Sequence, residues 1–267
     1  MTRRASLPMY RVPDGALAAF WRGLRTHLRT QGFADTPERL EAPVDLLGHW
    51  LAPDLLFSQT CGYPLVTSLA GRVRYVATPC YRAEGCQGPL YSSALVVRAE
   101  DDARSLADLR SRRAAINGRD SQSGSNTLRA AVAPLAHGGR FFSDVIETGA
   151  HRASLEAVRQ NRADIASIDA VTLALARRDE PELVQGLRVL VFTDPAPGLP
   201  FVTALSTGPE DVARLRAALA AACADPDFVP ARNAMLLEGV EVLPAEAYAR
   251  ITEQQERAVR LGYPELA

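Results

Sequence analysis

Between Ser105 and Arg178, short apolar runs and helix-period segments take turns, and that alternation leaves few folds open to the chain. Ser105 to Leu109 reads as a capped helix and Arg113-Ala114-Ala115-Ile116-Asn117 as a strand. A helix is expected from about Ser123 through Ala136, because Leu128, Val132 and Leu135 recur at helical spacing. Ser143 to Thr148 reads as a strand, Arg152 to Asn161 as a helix, Ala163 to Ile168 as a buried strand and Ala170 to Arg178 as a further helix. Short strands separated by helices argue for an α/β fold with a parallel sheet covered on both faces. In such sheets ligands bind at the carboxyl ends of the strands.

The flanking sequence extends this pattern. A short strand over Ala5 to Tyr10 precedes a helix from Pro13-Asp14 to about Gln31, whose apolar face is Leu17, Phe20, Trp21, Leu24 and Leu28. The strand Asp54 to Phe57 runs into the polar junction Ser58-Gln59-Thr60-Cys61-Gly62-Tyr63, with Pro64 to Leu69 as the helix after it. Val73 to Ala77 is expected as a strand, Cys80 to Leu90 as a loop and Tyr91 to Val97 as a strand. Leu187 to Phe192 is another strand, and Thr193 to Pro200 is proline-rich, stiff backbone that suits a crossover between domains. Beyond it come a strand at Phe201 to Leu205 and helices near 209–224, 226–237 and 244–261. The domains read as 1–98 with 201–267 for one lobe and 99–200 for the other.

The 267 residues, 47% hydrophobic, suffice for one large or two modest cores. Net charge is −1, from 30 basic residues scattered among 31 acidic ones, which argues against a nucleic-acid partner or a membrane surface. Every basic residue is Arg, so Schiff-base chemistry and a Walker lysine are excluded. No apolar run reaches the ~20 residues that cross a bilayer. The chain enters a strand-like stretch almost at once, with no signal peptide ahead of it. Cys61, Cys80, Cys86 and Cys223 lack metal-site spacing and read as free thiols, a disulfide requiring an oxidising compartment. Nothing calls for a cofactor.

The stretch Asp120 to Arg129 carries the first candidate site. Ser121, Gln122, Ser123, Gly124, Ser125 and Asn126 crowd a helix start, where unpaired N–H groups and a partial positive charge can hold an oxyanion. A plain serine N-cap fits the same residues, and locally both readings stand.

Three segments in order carry a resemblance: Asp120-Ser121-Gln122-Ser123-Gly124, then Thr148-Gly149-Ala150-His151-Arg152-Ala153-Ser154-Leu155-Glu156-Ala157-Val158, then Ala163 to Asp169. Together they resemble the phosphate/phosphonate substrate-binding proteins of ABC importers, from Leu7 to about Leu205. The resemblance implies two Rossmann-like lobes with a hinge, the type II periplasmic-binding-protein architecture. It also implies an oxyanion turn at Ser121, Gln122 and Ser123, with Ser125 and Asn126 close behind, and a ligand-facing His151. A histidine beside an oxyanion gains proton affinity and supplies a charged donor. From the other lobe Tyr10, Ser58, Gln59 and Tyr63 are expected at the same ligand. Asp169 reads either as a ligand contact or as the cap of the next helix. Leu199 stands where relatives that bind aminoalkyl phosphonates carry a carboxylate.

The implied function is a monomeric, non-enzymatic solute-binding protein that closes over phosphate, phosphonate, phosphite or a related anion and serves an ABC permease. The family is periplasmic, and the missing signal peptide sets a cytoplasmic location beside that. Two alternatives remain on the same fold: a cytoplasmic enzyme of the menaquinone or thiamine-pyrimidine type, and a ligand sensor.

Overall fold

The computed structural model describes residues 3–267, and it divides into two compact units. Unit 1 comprises Met1–Arg82, Gln87–Pro89 and Pro197–Ala245; unit 2 comprises Ala83–Cys86, Leu90–Ala196 and Glu246–Ala267.

Unit 1 is built on a five-stranded sheet in the order Arg4–Ala5, Leu55–Gln59, Phe201–Ala204, Val73–Tyr81 and Leu237–Glu241. The first two strands are parallel, and the last two of the chain, Phe201–Ala204 and Leu237–Glu241, run against their neighbours. The first strand is Arg4–Ala5, so of the expected strand Ala5 to Tyr10 only Ala5 lies in it. Pro8, which lacks an N–H, lies in the part left outside it. The helix Asp14–Thr30 buries Phe20, Trp21, Leu24 and Leu28, the face its spacing predicts. Phe228 packs on it, 5.0 Å from Phe20 between ring centres, in space that Gly23 leaves open.

Unit 2 holds the alternating region. Its sheet runs Leu187–Phe192, Ser93–Arg98, Ile165–Asp169, Arg113–Ile116 and Asp144–Glu147. The expected all-parallel sheet is therefore corrected: Ser93–Arg98 is antiparallel to both neighbours, while Arg113–Ile116 is parallel to Ile165–Asp169 and to Asp144–Glu147. Hydrophobic periodicity reports which faces are buried and is silent on strand direction. Both faces are indeed covered. Leu95 and Val97 join Leu128, Val132, Phe141 and Tyr263 on one side, whereas Ala94 and Val96 join Leu155, Val158 and Leu173 on the other.

The boundaries differ from the sequence reading, and Pro197 to Pro200, read with the second lobe, fall in unit 1. Ser93–Arg98, expected in the first lobe, is paired on both edges within unit 2. The C-terminal helix Ala249–Arg260, also expected in the first lobe, buries Ile251 and Ala258 in unit 2. The expected helix 226–237 is short, Val229–Ala234, and Leu236 at φ 55 turns the chain into the strand Leu237–Glu241. Val73–Tyr81 extends as a strand through Cys80, into the segment expected as a loop. All four cysteines are free. Among the described residues no helix is long and apolar enough to cross a membrane, and no cluster of residues is suited to a metal ion.

Candidate functional site

Three neighbouring, parallel strands of unit 2 end side by side, since Ile116 pairs with Glu147 and Ala115 with Ala166. Each end hands the chain to a polar turn. After Ile116 the segment Gln122–Asn126 is wound as a π turn, continued by the α-helix Thr127–Val132, where a single longer α-helix had been expected. Ser121 is its N-cap, accepting from Gly124 N at 3.0 Å. Gly124 carries no side chain for a steric reason: a Cβ there would stand 1.7 Å from Asn117 Oδ1.

Ser123 is the residue of this turn that meets a partner from another strand end. Its Oγ lies 2.9 Å from His151 Nε2, and its carbonyl accepts from Thr127 Oγ1 at 3.0 Å and Ser167 Oγ at 2.5 Å. His151 begins the helix His151–Arg159 just after Gly149, which adopts φ +84. Thr148 Oγ1 stitches that turn, 3.0 Å from Ile116 O, 3.1 Å from Ala150 O and 2.7 Å from Ser154 Oγ. Burial pushes the His151 pKa down to about 4, against a smaller upward pull from the Ser167 backbone. The ring is thus neutral at pH 7, facing a hydroxyl at the positive end of a helical segment. An oxyanion placed there would meet the Ser123 hydroxyl and the His151 imidazole.

The other residues of the turn divide. Ser125 is buried beside Ser123. Gln122 and Asn126 point away: Gln122 Nε2 donates to Gln254 Oε1 at 2.7 Å, and Asn126 Nδ2 donates to Gln122 Oε1 at 2.8 Å and Ile251 O at 3.0 Å. Their amides are committed to the C-terminal helix. Asp169 is the N-cap of Ala170–Asp179, its Oδ1 accepting from Thr172 N at 2.9 Å, so the cap is the role its geometry displays.

In unit 1, Gln59 Nε2 donates to Tyr81 OH and to Leu199 O, both at 3.0 Å, and the Tyr10 ring stands edge-on to Tyr81 at 5.2 Å. Ser58 is turned to the opposite face of the strand. There it closes a buried chain, Ser58 Oγ to Ser6 Oγ at 2.8 Å and Ser6 Oγ to His49 Nε2 at 2.7 Å, with Glu41 Oε2 3.4 Å from His49 Nδ1. Burial pushes His49 below its ordinary pKa, and Glu41 pulls the other way. Tyr63 is half-buried on the short helix Gly62–Val66. Ser58 and Gln59 therefore do not share one surface.

Sequence reasoning passed over Tyr81, Ser167 and Thr148. Ser167 had a signal, as a hydroxyl inside an otherwise apolar buried strand; Tyr81 lay in the segment expected as a loop.

Among solved structures, this fold is similar to PhnD1 from Prochlorococcus marinus in complex with methylphosphonate, with TM-score 0.77, 12% identity and coverage of 97% of this chain and 98% of that one. It is also similar to a binding-protein component of an ABC phosphonate transporter from Pseudomonas aeruginosa, with TM-score 0.75, 14% identity and coverage of 97% and 88%. A Xanthomonas citri protein bound to ATP gives TM-score 0.71, 15% identity and coverage of 98% of both chains. At these identities the likeness establishes the type II periplasmic-binding fold and nothing finer. No curated protein sequence matches the chain. The family of phosphonate ABC-transporter periplasmic substrate-binding proteins matches residues 53–248, most of the chain, and this protein belongs to that family.

Proposed function

We propose that this protein is the solute-binding component of an ABC importer and that unit 2 grips the oxyanion of its ligand with Ser123, Ser125 and His151. The observation that carries the reading is the Ser123–His151 pair, 2.9 Å apart at the start of a helical segment. Phosphonate, phosphate and phosphite share the tetrahedral oxygens such donors suit. Gln122 and Asn126 belong to the support of the turn, and Asp169 to the cap of the next helix. Tyr10, Gln59 and Tyr63 on unit 1 are candidate ligand contacts, as the family resemblance implies. Leu199, whose carbonyl holds Gln59, offers no carboxylate to an amine, which favours alkyl over aminoalkyl phosphonates. On this reading the protein works in the periplasm and hands its ligand unchanged to an ABC permease, a role that membership of the family supports.

Isothermal titration with methylphosphonate, phosphate and phosphite tests this. Ser123→Ala and His151→Ala should each weaken binding on the order of tenfold or more, the scale of one charge-assisted hydrogen bond. If none of the three anions binds, or both variants bind like the wild type, the assignment is wrong.

A further inference from the structure

The turn that carries Ser123 is a π turn, a rare winding that persists only where its surroundings fix it. What fixes it is a directed relay of amides. Gln254 Oε1 accepts from Gln122 Nε2 at 2.7 Å, Gln122 Oε1 accepts from Asn126 Nδ2 at 2.8 Å, and Asn126 Oδ1 accepts from Arg129 Nη2 at 2.6 Å. Arg129 Nη1 in turn donates to Pro264 O at 2.7 Å. The relay has one direction because a guanidinium, which can only donate, begins it. Its charge polarises each amide toward the next, so the last acceptor matters to all of them.

Gln122 and Asn126 are fully buried at 0% and 1% exposure, whereas Gln254 is half-buried on the helix Ala249–Arg260. We infer that Gln254 is a positioning residue for the oxyanion site, holding through Gln122 the π turn that aims Ser123 at His151. The inference rests on the function proposed above for what Ser123 does, and on geometry alone for how it is held. Without the Gln254 acceptor, the buried Gln122 amide loses the 2.7 Å bond that fixes its direction, and removing an acceptor from a buried donor costs more than the bond itself contributes. Rewinding the turn as α-helix relieves it. One residue of re-registration rotates a side chain about 100° around the axis, which carries Ser123 Oγ away from His151 Nε2.

The test compares Gln254→Ala with Gln254→Glu, whose carboxylate keeps an acceptor for Gln122. Methylphosphonate and phosphate titrations are run beside an NMR titration of the His151 ring in the ligand-free protein. Gln254→Ala should bind on the order of tenfold more weakly and shift the His151 titration, and Gln254→Glu should restore both to within about threefold of wild-type affinity. A purely structural role would lower thermal stability and leave the His151 titration in place; that result, or wild-type binding by Gln254→Ala, overturns the inference. If the wild type binds neither anion, the functional reading falls, and the His151 titration in the two variants alone decides whether Gln254 sets the turn.

Discussion

If His151 contacts the ligand as proposed, it ties acid stability to ligand binding, and replacing it with Gln isolates the effect. In the folded protein burial holds its pKa down to about 4, against an ordinary value near 6.5 once unfolded. Between those two values the unfolded chain binds more protons than the folded one, so stability rises with pH through that window and is lost on acidification. At about 1.4 kcal/mol per pH unit the loss comes to about 3 kcal/mol, and screening at the exposed edge of the half-buried ring reduces it to about 2 kcal/mol. Urea unfolding of wild type and His151→Gln at pH 7 and pH 4 should differ in acid loss by that amount. His49, also held below its ordinary pKa by burial, contributes equally to both proteins and cancels. An oxyanion beside His151 Nε2 favours the imidazolium, so binding should take up a proton near pH 5. Titration of methylphosphonate in buffers of different ionisation enthalpy reads that uptake, and His151→Gln retains the ligand's own titration while lacking the ring's. A His151 resonance titrating near 6.5 in the free folded protein, or an unchanged acid slope in His151→Gln, refutes the reasoning.

Gly124→Ala puts a Cβ 1.7 Å from Asn117 Oδ1 and 2.9 Å from its Cγ, so the carboxamide must swing out of its place. The expected cost is about 1–3 kcal/mol in urea unfolding, with weaker methylphosphonate binding, and a midpoint equal to wild type would sink this account of the glycine. Asp164→Ala removes the acceptor for Arg113 N at 2.9 Å, Arg113 Nε at 3.1 Å and Arg98 Nη2 at 3.0 Å. Burial works to raise that carboxyl, but Arg113 and Arg98 overcome it and hold it well below the usual carboxylate range. Stranding the largely buried Arg98 guanidinium beside the more open Arg113 should lower the urea midpoint measurably, and an unchanged midpoint refutes the role. Because its folded pKa is depressed, the contribution of Asp164 is complete above about pH 4 and fades only below, outside the window in which His151 acts.

What the chain announces locally is burial and period; what it withholds is direction and handedness of contact. The run Ala94 to Val97 alternates between two apolar layers, so a strand covered on both faces was readable from its composition. That it runs against its neighbours was not, because a reversed strand presents the same alternation. Leu237–Glu241 was hidden behind a helical pattern that Leu236 breaks with φ 55, a conformation no propensity assigns to leucine. The C-terminal helix showed its apolar face plainly, but which core receives a face is decided by the whole fold. In the turn, five polar residues and a glycine from Ser121 to Asn126 were visible as a polar helix start, yet not which of them face inward. The π winding shifts their facing by a residue relative to an α-helix, sending Gln122 and Asn126 inward and leaving Ser123 toward His151.

That sorting of amides from hydroxyls bears on how selectivity arises. The arginine bonded to the turn, Arg129, engages Asn126 Oδ1 and Pro264 O. It faces the rear of the turn and stiffens it through the relay. The front is made of neutral groups: serine hydroxyls and an imidazole whose burial keeps it uncharged until an anion arrives. A site of fixed neutral donors binds by geometry, because each hydroxyl lends its hydrogen along one direction, whereas a guanidinium attracts any anion within range. On the proposed reading, keeping Arg129 behind the turn would let an oxyanion be recognised by the placement of its oxygens. On the proposed reading, a proton taken up by His151 on binding would supply charge only where an oxygen already stands in position.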